Sequence, residues 1–139
     1  MIPLHEAQEA VLAGCKPLTP VQVAYSEMTG RVLAQDVVAT EDVPPFSNTA
    51  VDGYAVRASD TEQTPVELVV VDTLAAGAEP KIAVNAGEAI RIMTGAPMPQ
   101  GADAVVMVED TQRVGETHVL ISRSAKVHDG VRDAGSDVR

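Results

Sequence analysis

The chain is poor in aromatic residues and in cysteine. Of its 139 residues one is phenylalanine, two are tyrosine and none is tryptophan, so any core must be built from aliphatic side chains. Valine and alanine dominate the 45% of residues that are hydrophobic, and this favours strands over long helices. The single cysteine, Cys15, excludes an internal disulfide.

Positive charge and long apolar runs are also scarce. The 10 basic residues are outnumbered by 20 acidic ones, which gives a formal net charge of −10. Nucleic acids and anionic membranes need a basic patch, so neither is an expected partner. No apolar run approaches the roughly 20 residues that span a bilayer, and residues 1–9 lack the basic and apolar regions of a signal peptide. We therefore expect a cytoplasmic protein of one domain or two small lobes.

The segment from Pro44 to Arg57 contains two of the three aromatic residues, Phe46 and Tyr54. Its paired prolines fix two φ angles and remove two backbone donors, which excludes a helix interior or a central strand. The Ser-Asn-Thr run that follows prefers turns and caps, and the Asp-Gly pair is a turn signal before an alternating run. The segment predicts a rigid, exposed loop that enters a strand, a location that often carries functional groups.

A second segment, from Ile90 to Val106, has the same design: a strand, Thr-Gly, a proline-stiffened loop, Gly-Ala-Asp and a second strand. Together the two segments resemble the molybdopterin molybdenumtransferase family, the MoeA/gephyrin E-domain group. Its elements read P-P-F-x-N-S-A-M-D-G-Y-A-V-R and T-G-A-P-x-P-x-G-A-D-A-V-V. Ser47, Thr49 and Val51 depart from the commonest first element. The resemblance extends over essentially the whole chain, to a Gly-Ser-Asp at residues 135–137 that is similar to the family's G-x-D element.

Local patterns predict the secondary structure. An apolar face predicts a helix over residues 3–14, ended by Gly14. Alternation predicts a short strand over residues 21–25, and further strands are expected at residues 32–39, 68–71 and 104–108. Residues 26–31 are expected to form a helical turn, residues 113–122 a hairpin, and residues 126–139 a loop or linker.

The resemblance implies a fold that is mainly β with an N-terminal helix, in an elongated two-lobed arrangement that pairs with a second subunit. We expect residues 1–43 to form the helical arm and the start of the first lobe, residues 44–131 a β-rich lobe with both motifs, and residues 132–139 a return segment. The family's nucleotide- and pterin-binding α/β domain and its C-terminal β domain are not among these 139 residues. We therefore expect these residues alone to insert no molybdenum.

The resemblance also implies the site. Asp52, Thr94 and Asp137 correspond to catalytic residues of the family's cleft, with Thr94 and Gly95 contacting the substrate. The family converts adenylylated molybdopterin and molybdate to molybdenum cofactor and AMP. Because both substrates are anionic, carboxylates make sense there if they hold a divalent cation, for which Mg²⁺ is the usual choice; Asp52 and Asp137 are the expected ligands. The residues alone leave two alternatives open. Asp52 can be interpreted as a turn residue, and Thr94 as the cap of a strand end.

Other polar residues have weaker cases. Arg57 and Arg91 flank the motifs, and an outward-pointing surface arginine is the simpler interpretation of each. Asp103 and Glu109 are interpreted as solvated strand ends. The three histidines show no zinc-ligand spacing. As partners we expect a second copy of the chain and the molybdopterin adenylyltransferase, and the alternative function is a non-catalytic dimerisation or interaction module derived from the same family.

Overall fold

The computed structural model describes residues 2–138 and divides the chain into two units, the first ending at Val38 and the second beginning at Ala39. The sequence-based division placed its boundaries after residues 43 and 131. In the structure, the described residues after 131 lie within the second unit.

The first unit contains helix α1, Leu4–Ala13, and a 3₁₀ helix, Tyr25–Glu27. α1 follows Pro3 and ends at Gly14, whose N–H bonds the carbonyl of Val11 at 3.2 Å, so the predicted helix is confirmed. The strands expected at residues 21–25 and 32–39 are wrong, since residues 2–38 contain no strand. Alternating apolar residues do not make a strand without a neighbour to pair with.

The first unit has no core of its own. None of residues 2–38 is buried, although the unit is rich in large apolar side chains. Val32 and Leu18 are 93% and 92% exposed, and on α1 Leu4 is 75% exposed. Exposed apolar side chains in such number are unusual for a monomeric protein.

The second unit is built on a six-stranded sheet in the order β5-β2-β4-β3-β7-β6. β3 and β4 are parallel, and the other neighbouring pairs are antiparallel. A two-stranded antiparallel sheet pairs β1 with β8. The strands are β1 Asn48–Thr49, β2 Gly53–Val56, β3 Val66–Leu74, β4 Glu88–Ile92, β5 Ala104–Met107, β6 Thr111–Val114, β7 His118–Ile121 and β8 Val131–Arg132.

The large sheet is covered on both faces. β2 lies between β4 and β5, and all four of its residues are buried. Tyr54 and Val56 belong to one hydrophobic cluster, while Ala55 belongs to a second cluster that includes Ile90 and Ile92. Successive residues of a strand point to opposite faces, so this alternation places one cluster on each side of the sheet. The expected fold class, mainly β with an N-terminal helix, is confirmed.

Several local predictions can be compared with the second unit. The strands expected at residues 68–71 and 104–108 are β3 and β5, and the expected hairpin is formed by β6 and β7. The tail was expected to be a loop, but Val131–Arg132 forms β8. Asp103 is not merely solvated, because its Oδ1 accepts a 2.7 Å bond from the N–H of Ala58.

Among residues 2–138, no helix is long and apolar enough to cross a membrane.

Candidate active site

The antiparallel pairing of β2 and β4 brings the two sequence motifs together. Gly53, the first residue of β2, is opposite Ile92, the last residue of β4. Asp52 therefore precedes one strand and Thr94 follows the other at the same end of the sheet. The N–H of Val108 donates to the Asp52 carbonyl at 3.1 Å, and the N–H of Met93 donates to Leu74 at 3.1 Å. Both loop backbones are thus fixed where they leave the sheet.

Asp52 and Thr94 are directly bonded. Asp52 Oδ1 accepts the Thr94 N–H at 2.7 Å and the Thr94 hydroxyl at 2.8 Å. These two bonds, with a smaller contribution from the positive charge of Arg91, lower the pKa of Asp52 below its ordinary value of 3.8. Hydrogen bonds to the ionised form favour that form. The site therefore presents a carboxylate whose second oxygen is not used by either bond.

The hydroxyl of Thr94 provides a testable contribution to this carboxylate. We expect Thr94→Val to raise the Asp52 pKa towards 3.8, because the side-chain donor is lost while the stronger backbone bond remains. Thr94→Ser should keep the wild-type value. A carboxyl group whose pKa is lowered by folding stabilises the folded state when the pH is above its pKa in the unfolded chain. This stabilisation is lost as the pH falls through its pKa in the folded state. The difference in the free energy of unfolding between wild type and Thr94→Val should accordingly become smaller below pH 3.8.

Carbon-detected NMR titration of the Asp52 carboxyl, together with thermal melts across the same pH range, measures both effects. Identical Asp52 titrations in wild type and Thr94→Val would show that the hydroxyl does not stabilise the carboxylate.

The loop of the first motif lies between the loop of the second motif and the C-terminal segment. On one side, the N–H of Thr49 donates to Ala96 at 3.0 Å and that of Gly95 donates to Thr49 at 2.9 Å. On the other side, the N–H of Ala50 donates to Gly130 at 2.9 Å and that of Gly135 donates to Pro44 at 2.8 Å. Two segments distant in sequence, the loop of the second motif and the C-terminal segment, therefore support the loop of the first motif.

Two of the departures from the commonest family motif carry structural bonds. The hydroxyl of Thr49, a fully buried residue, donates to the Val51 carbonyl at 2.5 Å, and the Val51 N–H donates to the Thr49 hydroxyl oxygen at 3.1 Å. The hydroxyl oxygen of Ser47 accepts a 3.4 Å bond from the N–H of Ala134. Threonine at residue 49 thus supplies the hydroxyl that shapes the turn before Asp52.

Asp137 is anchored in the C-terminal segment. Its N–H donates to the Val43 carbonyl at 2.9 Å, and its carboxylate is paired with Arg132 of β8. Among the described residues, no side-chain bond joins Asp137 to Asp52 or Thr94. The structure therefore brings Asp52 and Thr94 together and leaves Asp137 in a separate ion pair, at the other side of the same loop.

The donor set fits a divalent cation only in part. Residues 2–138 contain no group of three or more His, Cys, Asp or Glu side chains placed to hold a metal. Asp52, however, has one oxygen outside the Thr94 bonds, and Mg²⁺ commonly uses only one or two carboxylates, with water and substrate phosphates as its other ligands. Asp52 could supply such a ligand, with the coordination completed by groups other than a carboxylate cluster of this chain.

Gly95 serves the site through its backbone. Its φ of 83° lies in the left-handed region, which favours glycine, and it directs the chain from Thr94 into the proline-stiffened loop. Arg57, in contrast, has only local contacts: a 3.9 Å ion pair with Asp60 and a 3.5 Å bond to Ser59. Sequence reasoning missed Arg132, for which the only local signal was its position before the Gly-Ser-Asp.

Comparisons with known proteins show which proteins the chain is similar to. The family model described as the MoeA N-terminal region (domain I and II) matches residues 2–139. The molybdopterin molybdenumtransferase of Staphylococcus epidermidis is 34% identical over 142 aligned residues, covering 99% of this chain and 34% of the relative. That of Staphylococcus aureus is 37% identical over 123 residues, covering 86% of this chain and 29% of the relative.

The crystal structure of the molybdopterin biosynthesis MoeA protein from Pyrococcus horikoshii OT3 matches with a TM-score of 0.84 at 38% identity, over 100% of this chain and 38% of that one. The fold and the paired motifs thus match the N-terminal region of these proteins. The chain belongs to the MoeA N-terminal region family, and it spans about a third of the length of the curated relatives it matches.

Proposed function

We propose that this chain forms the N-terminal part of a molybdenum insertase, which converts adenylylated molybdopterin and molybdate to molybdenum cofactor and AMP. The observation that carries the proposal is the bonded pair of Asp52 and Thr94 at the meeting point of the two motifs. The names and sequence identities of the relatives support the same reaction.

In this proposal the two residues have different roles. Thr94 fixes the orientation of the Asp52 carboxylate through one oxygen, and it keeps that carboxylate ionised. An ionised, oriented carboxylate beside anionic substrates requires a cation between them. We propose that Asp52, with Asp137 as a second contributor, holds Mg²⁺, which when bound would neutralise charge on the transferred phosphate.

The experiment that tests the function is AMP release from adenylylated molybdopterin in the presence of molybdate and Mg²⁺. The full-length gene product should release AMP, and the purified 139-residue chain should not rise above background. A full-length product that binds its partners but releases no AMP would instead support the alternative, a non-catalytic interaction module. The exposed apolar first unit is the observation that favours this alternative.

The same first unit supports a homodimer. Its helix α1 has Val11 69% and Leu12 67% exposed, and none of residues 2–38 is buried. Apolar surface on this scale marks an interaction site. We propose that a second copy of the chain covers it, with the molybdopterin adenylyltransferase as a further partner of the assembled protein. The composition and the single cysteine support a cytoplasmic location for this chemistry.

We expect the chain to self-associate, and deletion of residues 1–14 to weaken the association. Val11→Lys should weaken it as well, because it places a charge on the apolar face of α1. Ala13→Lys is the matched control, since it adds the same charge on the opposite side of the helix. Sedimentation velocity across a concentration series measures the effect. A wild-type chain that stays monomeric at millimolar concentration would contradict the proposal.

A further inference from the structure

Arg91 makes contacts that a solvent-facing strand arginine does not make. It lies on β4 directly opposite Tyr54 of β2, and its guanidinium carbon is 5.3 Å from the centroid of the Tyr54 ring. Its Nη1 donates to the carbonyl of Gly53 at 2.7 Å and to the carbonyl of Ile92 at 3.2 Å. The sequence-based interpretation of Arg91 as an outward surface residue therefore does not describe its contacts.

The two accepting carbonyls lie at the start of β2 and at the end of β4, next to the two motif loops. Gly53 directly follows Asp52, and Ile92 is two residues before Thr94. Gly53 and Ile92 are also the last pair of residues in the β2–β4 register. Beyond this pair, the hydrogen bonds of the sheet no longer connect the two segments. The guanidinium of Arg91 bridges the two segments there, and such charge-assisted hydrogen bonds are stronger than neutral ones.

The surroundings of Arg91 favour a fixed geometry. Tyr54 is only 6% exposed, so the ring on which the guanidinium lies is itself held in the core. A planar guanidinium can stack on this ring and donate to carbonyls at the same time, whereas a lysine ammonium is a single point charge on a flexible stem.

We propose that Arg91 is a positioning residue that ties the strand ends of β2 and β4 together and so holds Asp52 and Thr94 in bonding distance. The proposal deepens the function proposed above and rests on it for its catalytic consequence. The geometric part concerns this chain alone, and it can be tested without activity.

The first test uses NMR on the 139-residue chain. Arg91→Gln should speed hydrogen exchange of the Thr94 amide by about tenfold or more, since loosening of the strand ends opens the bond to Asp52. Arg91→Lys should also lose the amide protection, because an ammonium on a flexible stem does not reproduce the planar guanidinium that bridges the two carbonyls. Arg57→Gln is the control, because Arg57 flanks the first motif and contacts only Ser59 and Asp60.

The second test measures turnover in the full-length gene product. Arg91→Gln should lower kcat about 10- to 100-fold, as loss of outer partners of metal ligands commonly does, with little change in KM, and Arg57→Gln should behave as wild type. Thermal melts identify variants that fail to fold, and Arg91→Lys then serves in place of Arg91→Gln. Unchanged exchange of the Thr94 amide in both Arg91 variants would overturn the proposal.

A third outcome separates the two proposals. If Arg91→Gln speeds exchange of the Thr94 amide as expected but turnover is unchanged, the positioning of the pair stands and its catalytic consequence is overturned. If Asp52→Asn also turns over as fast as wild type, the catalytic role proposed for Asp52 is wrong, and the contacts of Arg91 are unaffected.

Discussion

Asp52→Asn is expected to lower AMP release by the full-length gene product about a hundredfold or more, because a positioned metal contact contributes several kcal/mol to the transition state. The amide keeps an oxygen that can accept both bonds from Thr94, so the shape of the site is retained while the charge that holds the cation is lost. Asp52→Ala should be at least as harmful. Both variants should melt close to wild type, since Asp52 is exposed.

The discriminating measurement is AMP release as a function of Mg²⁺ concentration, with thermal melts alongside. Asp72→Asn is a matched control, because Asp72 also accepts a 2.7 Å backbone bond, from the N–H of Thr73, but lies outside both motifs. Normal turnover by Asp52→Asn with an unchanged Mg²⁺ dependence would mean that Asp52 is a turn residue. Early melting of both Asp52 variants would assign the loss to structure and not to chemistry.

What sequence reasoning predicted correctly is mainly local. Helix α1 follows from one apolar face and a terminating glycine, and the apolar runs of β3 and β5 match strands with buried residues. The strands expected before residue 40 were wrong. Alternating apolar residues indicate only that one face of a segment can be buried, and residues 2–38 provide no strand to pair with. The tail strand β8 was missed because two residues carry too little pattern to predict pairing with β1.

The sequence named candidate site residues, but it did not show how they are arranged. The resemblance pointed to Asp52 and Thr94, yet their direct bond depends on the register that places Gly53 opposite Ile92, which no local pattern shows. The same long-range pairing gives Arg91 its two carbonyl partners. That Asp52 and Asp137 hold one metal ion remains a prediction, and the pairing of Asp137 with Arg132 is the contact such an ion would have to share or displace.

Gly53→Ala is expected to destabilise the second unit by about 1–3 kcal/mol, the usual cost of forcing extra volume into a packed core. A Cβ at Gly53 would overlap the carbonyl oxygen of Val106 and lie 2.9 Å from Cγ1 of Val105. Both atoms belong to β5, and the carbonyl is backbone, so relief requires β5 to move away from β2. Urea-induced unfolding followed by circular dichroism measures the change in the free energy of unfolding.

Gly14→Ala provides the matched control for this substitution. Gly14 ends α1 with a φ of −83°, a value open to alanine, and its Cβ would meet the Val11 carbonyl oxygen at an ordinary 3.6 Å. This variant should unfold at the wild-type urea concentration. Because Asp52 directly precedes Gly53, Gly53→Ala should also disturb the Thr94 amide signal, whereas Gly14→Ala should not. Equal unfolding midpoints for the two variants would show that β2 and β5 are not so close that residue 53 must be glycine. The conclusion that close packing fixes the start of β2, and with it the position of Asp52, would then be wrong.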